Sequence, residues 1–162
     1  MLRKFLVNSV LFAAAVWGML DNETVFCEAQ TVTATGDTAS TNFYDTGGTY
    51  NGNAGLTGEN LWVQAFCSTT ATSGGGATIQ AVLQDSADNA TYADVLAGPV
   101  FAVAACVAGT RLLAVQPPIF MRRYWRIVWR IGTAVLTAGK FDAFVSNTIQ
   151  ANRQDPSGFS VA

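Results

Sequence analysis

The chain has 162 residues, half of them apolar and 12% charged, with a formal net charge of −2. That length suits one domain, and the apolar half excludes a disordered polymer. The slight negative charge excludes a global basic field for nucleic acid, and the lack of any histidine removes the usual neutral-pH acid/base and metal ligand.

The first twenty residues, "MLRKFLVNSVLFAAAVWGML", open with Arg3 and Lys4 and continue with sixteen mostly apolar residues, Phe5 to Leu20. This run falls short of the roughly 20 residues that span a bilayer. Three readings stay open. It has the shape of a secretory signal, with Ala13, Ala14 and Ala15 at a cleavage site. Met19 begins an ordinary soluble start, which makes the upstream part an extension. Third, the run is an apolar arm that docks on a neighbouring subunit through residues such as Phe5 and Phe12. Left exposed, those side chains would invite aggregation.

After residue 20 helical periodicity is almost absent, and short β-rich runs recur between Gly, Asn, Asp and Pro clusters. A strand is predicted near 29–35 and another near 41–45. The glycine-rich loop 46–60, which holds Tyr50, leads to "LWVQAFCS" at 61–68, a strand with both faces partly apolar. "TSGGG" at 72–76 turns the chain into 77–84, where Ile79, Ala81 and Leu83 point one way and Thr78, Gln80 and Gln84 the other. "DSADNATYAD" gives a turn and a short strand. Runs at 99–103 and 110–116 follow, the second ended by Pro117 and Pro118, which cannot donate to a ladder.

The segment "RRYWRIVWRIG" at 122–132 holds four of the chain's nine basic residues and three large aromatics. As a strand it splits into two rows. Trp125, Ile127, Trp129 and Ile131 form a bulky apolar row for the core, and Arg122, Tyr124, Arg126, Val128 and Arg130 form the other row. The second row admits three readings: a solvated sheet face with cross-strand carboxylates, a protein–protein interface, or a platform for nucleic-acid bases. Asp142, beside Lys140 on a last strand at 138–149, is one candidate partner for the arginines.

Eight or nine short strands without an intervening helix predict an all-β fold: an antiparallel β-sandwich or jelly roll of about eight strands. The predicted organisation is an apolar N-terminal arm or extension at 1–18, the jelly-roll domain at 19–150, and a flexible tail at 151–162.

Chemistry-bearing motifs are sparse. Cys27, Cys67 and Cys106 lie 40 and 39 residues apart without a CxxC, a poor disulfide framework and a poor zinc site, and read as small buried hydrophobes. Asp85, Asp88 and Asp94 lack the glycine and closing glutamate of a calcium loop, so a polar hairpin turn stands beside a loop calcium site. No nucleophile elbow, phosphate loop or dinucleotide fingerprint occurs. No catalytic residue, cofactor or metal is assigned, and the chain is not read as an enzyme.

From Met19 the sequence resembles the tailed-phage capsid cement proteins of jelly-roll type, typified by that of a Bordetella phage. The resemblance runs through "MLDNETVFCEAQTVTATGDTASTNFYDTGG" at 19–48, "LWVQAFCSTTATSGGGATIQAVLQDSADNATYADV" at 61–95, and "GTRLLAVQPPIFMRRYWRIVWRIGTAVLTAGKFDAFV" at 109–145. It rests on the order and spacing of features; residues 1–18 depart from it. The resemblance implies a protein that self-associates, commonly as a homodimer, and sits on the capsid exterior, binding the major capsid protein of an HK97-like shell. It implies assembly in the host cytoplasm and no specific nucleic-acid or membrane partner. The candidate interface residues are Arg122, Tyr124, Arg126, Arg130, Lys140, Phe5, Phe12 and Tyr50. The signal-like N-terminus keeps a second expectation alive, an exported β-sandwich binding module in which Trp62 and Tyr50 stack on a sugar.

Overall fold

A computed structural model describes residues 22–47 and 61–149. Among the described residues there are ten strands: β1 (Val25–Thr31), β2 (Gly36–Ala39), β3 (Tyr44–Asp45), β4 (Trp62–Thr72), β5 (Thr78–Ser86), β6 (Tyr92–Ala97), β7 (Phe101–Ala102), β8 (Arg111–Val115), β9 (Tyr124–Gly132) and β10 (Ala138–Ser146). Two single-turn 3-10 helices, Asn22–Thr24 and Val103–Ala105, are the other regular elements among the described residues.

All pairings are antiparallel. Sheet A runs β1-β10-β4-β8, and sheet B runs β2-β9-β5-β6, with β3 added to β9 and β7 to β5. The eight longer strands pair as β1 with β10, β2 with β9, β4 with β8 and β5 with β6. A ribbon of paired strands wound into two facing sheets gives this order; it is the jelly roll the sequence predicts. β3 and β7 are two-residue additions to it.

The core lies between the sheets. β9 contributes Trp125, Ile127, Trp129 and Ile131, the bulky row read from the sequence, and β5 contributes Ile79, Ala81 and Leu83. Sheet A answers with Phe26, Val63, Ala65, Cys67, Phe141, Ala143 and Val145. Burying each large side chain contributes about 1.5–3 kcal/mol before entropy is charged. Trp129 of sheet B meets Phe141 of sheet A with ring centroids 4.9 Å apart, so this pair bolts one layer to the other. Gly98, just past β6, has to be small: a Cβ there would lie 3.0 Å from the Ala81 carbonyl oxygen.

The strand predicted near 29–35 is placed differently. β1 starts at Val25, and the chain leaves sheet A after Thr31 to re-enter sheet B at Gly36. Two register shifts against β10 break the alternation of β1, and Ala29 sits there at φ 47°. Asp142 holds the irregular stretch: its Oδ1 accepts from the Ala29 N–H at 2.5 Å and from Ser68 Oγ at 3.0 Å. Asp142 therefore ties β1 and β4 to the strand between them. It is not the partner of the arginine row, because β10 lies in the opposite sheet from β9. Lys140, on β10, is exposed on sheet A and does not join the arginines of sheet B.

Candidate partner-binding face

The outer face of sheet B is built by the even row of β9 and its neighbours. Arg130 stands between Asp37 of β2 and Gln80 of β5, Val128 between Ala39 and Val82, and Tyr124 between Asp45 of β3 and Ser86. Arg126 faces Gln84, which faces Asp94 of β6. Period-two alternation puts these side chains on one surface, because the opposite row is committed to the core.

The polar groups of this face are locked to one another. Arg130 grips Asp37 through Nε and Nη2, both at 2.8 Å, and reaches Asp94 at 3.0 Å. Gln84 gives its amide N–H to Asp94 at 2.6 Å and accepts from Arg126 Nε at 2.9 Å. The Arg126 guanidinium lies 3.7 Å over the Tyr92 ring. Arg123 makes a two-pronged pair with Asp45 at 2.6 and 2.7 Å, and its guanidinium lies 4.8 Å over the Tyr124 ring. Tyr124 also meets the exposed Phe43 edge-on at 5.7 Å. The result is a charge-balanced, aromatic-rich surface whose side chains are already oriented.

The electrostatics follow from the pairing. The hydrogen bonds from Arg130 hold the Asp37 carboxyl below its ordinary range, and those from Arg123 do the same for Asp45. Asp94 is lowered first by Gln84 and then by Arg130, and Arg130 is raised by Asp37 and Asp94. Arg123 and Arg130 would have to leave carboxylates before meeting a phosphate. Arg126 binds an amide and an aromatic ring instead.

Of the predicted interface residues, Tyr124, Arg126 and Arg130 come together here. Val128, in the same row, is buried to 1% exposure between Ala39 and Val82, so an apolar stripe interrupts the polar face. Arg122 does not belong to the row: it precedes β9 and is engaged with Asp85. Phe5, Phe12 and Tyr50 lie outside the described residues. So does most of the loop 46–60, and with Tyr50 goes half of the sugar-stacking pair; Trp62 is half-buried at the start of β4.

The three acids read as a weak cluster have separate roles. Asp85 pairs with Arg122, and Asp94 with Gln84 and Arg130. Asp88 closes its own turn by accepting from the Ala90 and Thr91 N–H groups at 3.0 and 2.8 Å, which hold its carboxyl down. All three cysteines are free and buried.

Two features were missed in the sequence. Asp37, Asp45, Tyr92 and Phe43 complete the face, although nothing in their spacing shows that they share a sheet with β9. The second is the β8–β9 loop, where Ile119 is exposed and Phe120 is 84% exposed at φ +73°. A double proline followed by two large apolar residues, in a loop with no strand pattern to bury them, was the available signal.

A search of curated proteins finds no match. The model of the Bbp16 family matches residues 26–145, from the second residue of β1 to the last but one of β10, and therefore takes in both sheets and the arginine strand. That span covers most of the chain: it belongs to the Bbp16 family, a family of Bordetella phage proteins.

Proposed function

We propose that this protein is a structural component of a phage virion. It binds the outside of a capsid built from an HK97-like major capsid protein and cements neighbouring capsomers against internal pressure. It associates with a second copy of itself, as a homodimer, and acts without catalysis or cofactor. Family membership supports the phage virion part of this reading.

The observation that carries the cementing role is the preset network on sheet B, from Tyr92 and Arg126 through Gln84 and Asp94 to Arg130. Side chains already fixed by their neighbours lose little entropy when a partner arrives. Arginine and tyrosine are also the residue types that dominate protein contacts. On a lattice, many modest contacts of this kind add through effective concentration, with no single tight site needed.

The test uses purified heads and protein in which Arg126 and Arg130 are both replaced by serine. Occupancy on the heads and their rupture temperature are measured. The proposal expects both to fall; heads that bind the variant fully and rupture at the native temperature would remove this face from the account.

A further inference from the structure

We propose that the β8–β9 loop of one copy inserts Ile119 and Phe120 into an apolar groove at the edge of a second copy, and that the second copy returns the same contact. This rests on the self-association in the reading above and names the surface that makes it.

The loop holds its two apolar side chains away from its own fold. Ile119 is 65% and Phe120 84% exposed, and Phe120 stands at φ +73°. Left-handed backbone at a bulky residue costs energy that its own fold does not repay, since so little of the ring is buried. The loop is nonetheless fixed at both ends. Pro117 and Pro118 stiffen it on one side; buried Met121 and the Arg122–Asp85 pair seat it on the other. Side chains held in place this way lose little freedom on binding.

The groove lies between β6 and β8, which end sheets B and A among the described strands. It has a volume of about 340 Å³ and is lined by Leu96, Pro99, Phe101, Leu113 and Val115. Val100, between two of these, is 60% exposed and extends the apolar surface past the rim. The described lining is uncharged except for Arg111, whose guanidinium lies 5.5 Å over the Phe66 ring. Isoleucine and phenylalanine side chains together occupy about 240 Å³ at interior density, so the groove has room for both.

Area decides that the exchange is mutual. One insertion hides about 500–600 Å² of loop and groove together, short of the roughly 1,000 Å² of a specific interface; two insertions about a two-fold axis reach about 1,100 Å². The chain path allows this. Val115 ends the lining and Ile119 follows within about 14 Å, so one axis beside them lets each copy give and receive. Gln84, Tyr92, Asp94, Arg126 and Arg130 do not line the groove, so the pairing leaves the network on sheet B to the shell.

The experiment is sedimentation of the full chain across the micromolar range, with circular dichroism as the check on folding. The native chain should run as a dimer and no larger. Ile119→Ser with Phe120→Gly in one variant, and Ala97→Glu on the exposed part of the lining in another, should each raise the dissociation constant at least about 30-fold. Phe120→Lys should also weaken the dimer, and Phe120→Lys with Ala97→Glu in one chain should regain most of the loss, because the new charges then meet across the contact. If the loop variant fails to fold, Ala97→Glu and the charge-swapped pair still decide. A native dimer that the loop and groove variants leave intact overturns this proposal alone, as does a charge-swapped pair without recovery. A native chain that is monomeric at every concentration overturns it together with the homodimer part of the reading. Variants that stay dimeric but occupy purified heads less than the native chain assign the loop to the shell, and overturn it too.

Discussion

Arg122 closes over Asp85 at the foot of β9 with four hydrogen bonds. Its Nε and Nη2 donate to Asp85 Oδ1 at 2.8 and 2.5 Å, its backbone N–H to Oδ2 at 2.7 Å, and Nη2 again to the Asp85 carbonyl at 2.9 Å. Asp85 is paired in register with Trp125, whose indole N–H returns to the Arg122 carbonyl at 2.6 Å. The clamp thus fixes the entry of the arginine strand and the position of a core tryptophan. The Asp85 side chain is 8% exposed and that of Arg122 40%. Truncating Arg122 to alanine leaves a buried carboxylate with only the backbone donor. A fully buried broken pair costs about 3–5 kcal/mol, and the solvent at Arg122 reduces this to about 2 kcal/mol. Urea unfolding of Arg122→Ala measures it, and Arg122→Lys should recover only part, because lysine cannot fork onto both acceptors.

The cysteines give a chemical probe of the fold. Burial pushes the Cys27 thiol up to about 12 and that of Cys106 to about 11, and raises Cys67 as well. Thiolate is the reactive form, so all three should resist a thiol reagent at pH 8 in the native protein. Labelling should proceed at the rate of unfolding and rise steeply with denaturant, reaching three thiols per chain. Rapid modification of one cysteine without denaturant would show a local opening near it.

The sequence carried the two rows of β9 and the alternation of β5, because a half-buried strand writes its burial in period two. It also carried the two-faced character of 61–68, which is Phe66 turned outward while Ala65 and Cys67 turn in. Sheet membership was not legible. Strands β9 and β10 are neighbours in sequence, so Asp142 and Lys140 looked close to the arginines; the jelly-roll winding sends β10 to the other sheet. The true partners, Asp37, Asp45 and Asp94, lie 93, 78 and 36 residues from the arginines they meet. Pairing over such separations is set by topology, which no local pattern encodes. The early start of β1 was hidden for a different reason: the bulge at Ala29 breaks the alternation by which the strand would have been recognised.

Phe120 separates stability from binding. A phenylalanine at φ +73° with 84% of its surface in solvent is strained and gains little from burial. Pro117 and Pro118 stiffen the loop on one side, and buried Met121 with the Arg122 clamp anchors it on the other. Glycine at this position relieves about 1–2 kcal/mol of left-handed strain and adds about 1 kcal/mol of backbone entropy cost. Phe120→Gly should therefore unfold at the native denaturant concentration or slightly above it. If Ile119 and Phe120 are contact residues for the shell, the same variant should bind heads more weakly than Phe120→Leu. Equal binding by both would place this loop outside the interface.

Part of the acid limb of stability comes from the outer face of sheet B, beside the Asp88 turn, whose carboxyl is also held down. Asp37, Asp45 and Asp94 all have folded pKa values below the ordinary 3.8, because Arg130, Arg123 and Gln84 bond their ionised forms. A group whose folded pKa is depressed stabilises the native state above its unfolded pKa and loses that contribution as pH falls through the folded value. Tm should stay level from about pH 7 to about pH 5, then fall below about pH 4 as these carboxylates take up protons. The pairs are largely exposed, so each contributes modestly and salt weakens it; high salt should shrink the acid-sensitive part. Arg130→Gln removes the donor shared by Asp37 and Asp94, and should flatten the profile below about pH 4 more than Arg126→Gln does, since Arg126 bonds Gln84 and Tyr92 instead of a carboxylate. Thermal melts of the three proteins across this range decide it, and equal acid sensitivity in all three would show that the carboxylates of this face do not control the transition.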